Sequence, residues 1–232
     1  MVILRKALPS DTDFIVEAII ESEKSGTDKF SYCTLFGLAT EEVSEIIKEI
    51  LTEDIQGQKF CLEQFIIATV NDEPAGACSS WIEGGTGSSS SYLQGQILLA
   101  FFPRENVADA RDRLEMAKDL TIEREYNALQ IESVYVKPNF RGLGIAGKII
   151  VEHIQNALKG NPDLKKTQIV VAKTNDSAVK SYTKLGFEVV EERHCGNKDI
   201  LNFLPADTLV VMENIKPLND YKSNSFLQRK DF

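Results

Sequence analysis

The stretch LQIESVYVKPNFRGLGIAGKIIVEHIQNALKG, residues 129–160, decides the fold. Its first eight residues, Leu129 to Val136, are rich in β-branched and aromatic side chains and read as a strand. Past the glycine-rich turn the period changes. Ile149, Ile150, Ile154, Ala157 and Leu158 recur at helical spacing, and Gly160 closes the run. TQIVVA, residues 167–172, then reads as a second strand. Strand, helix, strand is a βαβ unit, with parallel strands and a right-handed crossover.

The turn between strand and helix carries Gly142, Gly144, Ala146 and Gly147. A helix start has unpaired N–H groups and a partial positive charge, which suit a phosphate. Side chains would block close approach, so small residues are needed there. The mononucleotide loop G-x-x-x-x-G-K-[ST] is not met, because Ile149 stands where the magnesium-holding hydroxyl belongs. G-x-G-x-x-G is met formally by Gly142, Gly144 and Gly147. The unit comes late in the chain, however, and TQIVVA lacks the acidic residue that binds a dinucleotide ribose. A turn that serves packing alone stays open on these residues.

Outward from this unit the chain alternates apolar runs with turn signals. Val2–Leu4 leads into a helix ending near Gly26, with Ser10 and Asp13 placed as a capping box. Residues 27–39 read as irregular, and Thr40 as the cap of a second helix. QFIIATVNDEPAGACSSWIE is a hairpin turning at Asn71-Asp72. GGTGSSSS, residues 84–91, has the composition of a mobile loop. Residues 92–103 fit helix or strand equally, and Val107–Tyr126 suits one amphipathic helix. DSAVKSYTKL is a helix stopped by Gly186, and FEVVEER and TLVVMEN are strands. Hairpins dominate, so the sheet is expected to be mixed.

The chain of 232 residues suits one α/β domain, expected over 1–216 with 84–127 as an inserted region, followed by a peripheral tail at 217–232. A net charge of -9 argues against nucleic-acid binding and favours a cationic partner by long-range steering. Cys33, Cys61, Cys78 and Cys195 show no metal-ligand spacing, and His153 and His194 are too few for a histidine-rich site. No metal is expected. Neither a signal peptide nor a run of about 18 apolar residues is seen, so a cytoplasmic protein without a membrane span is expected.

VYVKPNFRGLGIAGKII, followed by NDSAVKSYTKLGFEVVEE, resembles the GNAT superfamily of acyl-coenzyme A-dependent N-acetyltransferases. The loop pattern [R/Q]-x-x-G-x-[G/A] is met by Arg141, Gly144 and Ala146, and its lead-in by Val136, Pro138, Arg141 and Gly142. The second pattern is met by Asn175, Ala178, Tyr182, Lys184, Gly186 and Phe187. LRKALPSDTDF is similar to the family's opening strand and helix. The likeness fades over 84–127.

The resemblance implies a central mixed, mostly antiparallel sheet with a splayed parallel strand pair and helices on both faces. It implies acetyl-CoA as cosubstrate and an amine as acceptor, a small molecule or a protein. Backbone groups of Arg141, Gly142, Leu143, Gly144, Ile145, Ala146 and Gly147 would hold the pyrophosphate. Val134, Tyr135 and Val136 would pair with the pantetheine amides, and Asn175 would cap its helix and touch the same arm. Lys148 and Lys184 are candidates for the 3′-phosphate. Tyr182 is the implied general acid and Glu132 the candidate base. Strand alternation puts Glu132 on the face of Val134 and Val136. Phe30, Tyr32 and Phe36 lie where the acceptor site is walled, while Trp81 and Cys78 are assigned to the core. The segment 84–127 is open to two roles, an acceptor wall or a homodimer contact. A non-catalytic acyl-CoA-binding module is the alternative function.

Overall fold

The computed structural model describes residues 1–214 and 216–222. Its elements run β1 (Val2–Lys6), α1 (Thr12–Lys24), α2 (Ser31–Phe36), α3 (Thr40–Glu53), β2 (Phe65–Val70), β3 (Glu73–Ile82), α4 (Ser90–Phe101), α5 (Arg104–Asp109), α6 (Arg111–Met116), β4 (Leu129–Val136), α7 (Ile145–Gly160), β5 (Thr167–Ala172), α8 (Asp176–Lys184), β6 (Phe187–His194) and β7 (Thr208–Asn214). The strands form one seven-stranded sheet in the order β1-β2-β3-β4-β5-β7-β6. Only β4 and β5 pair in parallel; every other neighbouring pair is antiparallel.

Helices cover both faces. On one, Ile145, Ile149, Ile150 and Ile154 of α7 pack with Leu129 and Ile131 of β4, Ile169 of β5 and Tyr182 of α8. On the other, α1, α2, α3 and the inserted α4 gather Ile15, Ile19, Phe36, Val43, Ile47 and Ile97 over Phe65, Ile67 and Tyr135. The 3.6-residue spacing of these apolar positions lets each helix bury one stripe.

Two features of β4 shape everything that follows. First, its pairing with β5 stops at Ile131–Ile169, although both strands continue. Beyond that point β4 pairs only with β3, and β5 only with β7. The sheet therefore opens as a fork between residues 132–136 and 170–172. Second, β4 carries a bulge. Ala77 faces Tyr135 while Ser79 faces Glu132, so three steps on β4 match two on β3. Ser133 absorbs the extra residue with φ 54°.

Several local expectations need correction. Asp11, not Ser10 with Asp13, organises the first turn: its carboxylate accepts from Leu8 N (2.8 Å) and from Arg5 (2.6 and 2.8 Å). Residues 31–36 are helical. At α3 the carboxylate of Glu42 accepts from Ala39 N at 2.7 Å, so the cap sits one residue before Thr40. GGTGSSSS is a tight turn and a helix start, because buried Glu83 accepts from Ser90 N (2.8 Å) and Ser89 Oγ caps Tyr92 N (3.3 Å). Residues 92–101 are helix. The single helix expected over Val107–Tyr126 is two short helices and a 3-10 turn. Ala110 is buried under one cluster and Leu120 under another, with Cys195 and Ile200, which one straight helix does not reach. The expected tail begins inside the core: Leu218 and Tyr221 are buried, and Tyr221 Oη donates to Leu185 O at 2.7 Å. The rest of that segment, 223–232, lies outside the described residues.

Candidate active site

The glycine loop sits at the wide end of the fork. Gly142 (φ 83°) and Gly144 (φ 68°) take left-handed backbone, which glycine adopts without a Cβ penalty. The first intrahelical bond of α7 runs from Lys148 N to Gly144 O at 3.1 Å. Among the described residues, the N–H groups of 142–147 find no backbone acceptor, as expected of a helix start. Arg141 folds back, with Nε donating to Val136 O at 3.2 Å, and ties the loop to the end of β4. Gly147 serves packing instead. A Cβ there would stand 3.0 Å from Leu185 Cδ2, so its smallness seats α7 against the end of α8. Lys148 donates to Leu143 O at 3.0 Å and braces the loop, whereas Lys184 is exposed.

Tyr182 approaches the fork from the α7 face. It is buried, and Asn175 caps its helix by accepting from Ala178 N at 3.2 Å. Burial, then the neighbouring Cys78 and Glu132, push the phenol above its ordinary range, so it holds its proton at neutral pH. Among the described residues its hydroxyl makes no hydrogen bond. Burial and then Glu132 also push the Cys78 thiol up, which makes it a poor nucleophile.

Glu132 is the first residue past the last β4–β5 pair. It does not share a face with Val134 and Val136, contrary to simple alternation. Those valines pack toward α7. The bulge at Ser133 shifts the phase, and Glu132 joins Gln130 on the opposite face, where one guanidinium, that of Arg124, reaches both. Tyr135 faces the same way, donating to Glu17 Oε1 at 2.8 Å. Of the wall residues, Tyr32 contacts Phe30, Phe36, Phe60 and Phe102 at ring-centre distances of 5.6 to 6.3 Å, and Trp81 is buried as expected.

The Acetyltransferase (GNAT) family model matches residues 34–187. The chain belongs to the GNAT acetyltransferase family. It is therefore an acyltransferase. The fold is shared with an N-acetyltransferase from Staphylococcus aureus Mu50 at a TM-score of 0.63 and 17% identity, over 91% of this chain and 99% of that one. It is also shared with a ribosomal-protein-alanine N-acetyltransferase from Brucella melitensis (TM-score 0.53, 14% identity, 92% and 99% covered). An uncharacterised protein from Bacillus halodurans gives 0.54 at 12% identity, with 98% and 91% covered. No curated protein sequence matches the chain.

In this GNAT chain the inserted region is folded against the site. Arg113 Nε donates to Leu35 O at 2.6 Å and Asn106 Nδ2 to Phe36 O at 2.9 Å, clamping α2. Thr34 Oγ1 donates to Phe203 O, which draws in the β6–β7 connection. Sequence reasoning missed two more residues here. Lys59 is buried, paired with Glu23, and its Nζ lies 5.1 Å from the Tyr32 ring centre. Burial alone would lower its pKa, but Glu23, then Tyr32 and Glu132, hold it above its ordinary value. Arg124 is the other. Nothing local marked either one, because nothing near them in sequence identifies their partners. Among the described residues, no group of three or more His, Cys, Asp or Glu could hold a metal. No helix among them is long and apolar enough to cross a membrane.

Proposed function

We propose that this acyltransferase moves an acetyl group from acetyl-CoA to a primary amine by direct attack within a ternary complex. The observation that carries the reading is the fork: Tyr182 reaches it from one face, and Glu132 stands at its root on the other. The family uses acetyl-CoA as a substrate, and the residues present suit it. The unpaired N–H groups of 142–147, with bare backbone at Gly142 and Gly144, suit a pyrophosphate. The edge of β4 that β5 leaves unpaired, along Val134, Tyr135 and Val136, suits the amides of an extended arm, with Val136 O already accepting from Arg141 Nε, and Asn175 stands at the far side of the fork.

Each group has one role in this reading. Glu132 takes the proton that the amine must lose. A backbone N–H at the edge of β4 steadies the charge that develops on the carbonyl oxygen. Tyr182, protonated at neutral pH, gives its proton to the departing thiolate. The product amide and the free thiol balance the atoms. Cys78 is poorly suited to carry the acetyl group itself, which favours direct attack over a two-step relay through a thioester on the protein.

The acceptor is a small molecule or a protein amine. The net charge of -9 supports steering of a cationic acceptor at long range. Close to the fork, Glu23 and Glu132 are matched by Lys59 and Arg124, while Glu17, which accepts from Tyr135 Oη, has no ion pair among the described residues and supports the same preference. The four cysteines are unpaired, which fits a reducing compartment such as the cytoplasm. We take the described chain, through Tyr221, as one catalytic domain.

The test is thiol release from acetyl-CoA across a panel of spermidine, tyramine, amino acids and short peptides with free N-termini. Turnover with any of these amines supports the reading. Tight coenzyme A binding with no turnover on the panel would overturn it in favour of a binding module.

A further inference from the structure

We propose that Arg124, delivered by the segment inserted between β3 and β4, is a positioning residue that aims the Glu132 carboxylate. The inference rests on the reading of Glu132 as the base. Arg124 is part of no motif and lies in the region where the family resemblance fades, yet its guanidinium forks across the base of the site. Nη2 donates to Glu132 Oε1, and Nη1 donates to Gln130 Oε1 at 2.7 Å. The guanidinium carbon also lies 5.1 Å from the centre of the Trp81 ring. The side chains of Arg124 and Glu132 are only 16% and 15% exposed, so water screens the pair little.

The fork is itself held from behind by a directional relay. Because Gln130 Oε1 accepts from Arg124, its Nε2 is the donor to Gln168 Oε1, at 2.8 Å. Gln168 in turn donates from Nε2 to Glu213 Oε1 at 2.8 Å. Gln168 Oε1 also accepts from the backbone N of Glu125, the residue after Arg124, at 3.2 Å. Gln130 and Gln168 are buried, so each donor and acceptor in the relay must be used. Arg124 is thus fixed through the backbone of the next residue, across its face and at two nitrogens.

The consequence is chemical. Oε1 of Glu132 is occupied, while Oε2 has no hydrogen-bond partner among the described residues. One oxygen anchors the carboxylate, and the other is left with a lone pair to take a proton. Alternation from Ile131 puts this carboxylate beside Gln130, on the face where the inserted segment lies, and the bulge at Ser133 returns Val134 to the α7 face. A planar five-donor group suits this position, because it meets two residues at once through a fixed fork. A lysine in its place would offer a single nitrogen.

The test uses the full chain, acetyl-CoA and the amine of the panel with the fastest turnover. Glu132→Gln, Arg124→Ala and Arg124→Lys are compared in kcat, in both KM values and in melting temperature. Arg124→Ala is expected to lose about 10- to 100-fold in kcat, a share of what general-base catalysis supplies, with KM for acetyl-CoA unchanged. Added guanidinium ion at low millimolar concentration should restore part of that loss, and should restore nothing in Glu132→Gln. Arg124→Lys should stay slow although the charge is kept. If Glu132→Gln is impaired but folded Arg124→Ala turns over like the wild type, positioning is wrong and the base reading survives. If Glu132→Gln is unimpaired, the base reading fails and the proposal with it. A loss in Arg124→Ala confined to KM for the amine, or insensitive to guanidinium, also overturns it. Should Arg124→Ala fail to fold, a folded Arg124→Lys with wild-type kcat overturns it and a slow one supports it.

Discussion

Ile131 of β4 faces Ile169 of β5, and no further pair joins the two strands. Each strand keeps its outer neighbour beyond that point, so the gap costs the sheet only one ladder. The backbone groups left over are those a bound chain-like molecule would need.

Tyr182→Phe separates chemistry from packing. The ring stays buried, and the lost hydroxyl makes no hydrogen bond among the described residues, so the melting temperature should hardly move. In steady-state assays kcat should fall by about 100-fold or more, with KM for acetyl-CoA little changed. An unchanged kcat would remove Tyr182 from the mechanism.

Two glycines of the loop should fail in different ways. Gly142→Ala meets no neighbour, but φ is 83°, so a stability cost of roughly 1 kcal/mol is expected together with weaker acetyl-CoA binding. Gly147→Val forces a branched side chain onto Leu185, whose Cδ2 lies 3.0 Å from the first added carbon. Overpacking of this kind costs about 1–3 kcal/mol. Calorimetric titration with acetyl-CoA beside thermal melts would show whether the two effects separate as stated.

Lys59→Met leaves Glu23 without its buried partner. The loss should be about 3 kcal/mol in urea unfolding. Replacing both, as Lys59→Met with Glu23→Leu, should recover most of it, because two apolar groups then fill the space. A double variant as unstable as the single one would mean the pair contributes more than mutual neutralisation.

His153 makes stability depend on pH. Its Nε2 lies 2.9 Å from Cys78 O and must donate, so Nδ1 accepts from Ser80 Oγ at 2.7 Å and the ring is neutral. Burial drives its pKa down to about 4. The unfolded chain takes up the proton first, near 6.5, so this stability is complete above that pH. It is lost as pH falls from about 6.5 toward 4, by on the order of 3 kcal/mol in all. Denaturant midpoints at several pH values should slope in this window, and His153→Gln should flatten the slope.

What could be read from the residues alone was what is written locally. The βαβ unit, the glycine loop and the cap at Asn175 each lie within a few neighbours of the groups they serve, and Tyr182 sits in a contiguous pattern. The face of Glu132 was not legible, because a bulge at Ser133 depends on register with β3 and leaves no mark in composition. GGTGSSSS has the composition of a linker, but buried Glu83 turns it into a helix start. Arg124 with Glu132, and Lys59 with Glu23, are ion pairs made by the folded chain, and a lone charged residue in a sequence carries no hint of its partner.

The bulge also makes β4 more tolerant of shortening than of stiffening. With Ser133 deleted, plain alternation would still aim Ile131 and Val134 at α7 and leave Glu132 and Tyr135 opposite. Ser133→Ile keeps the length but asks a β-branched residue to hold φ 54°. Flattening the bulge would relieve that strain, and every side chain on one side of it would then change faces. If the Glu132 side turned, its carboxylate would leave Arg124 for the hydrocarbon packed beneath α7, as a buried and unpaired charge; if the other side turned, Val134 and Val136 would leave that hydrocarbon. At this position a missing residue is gentler than a larger one.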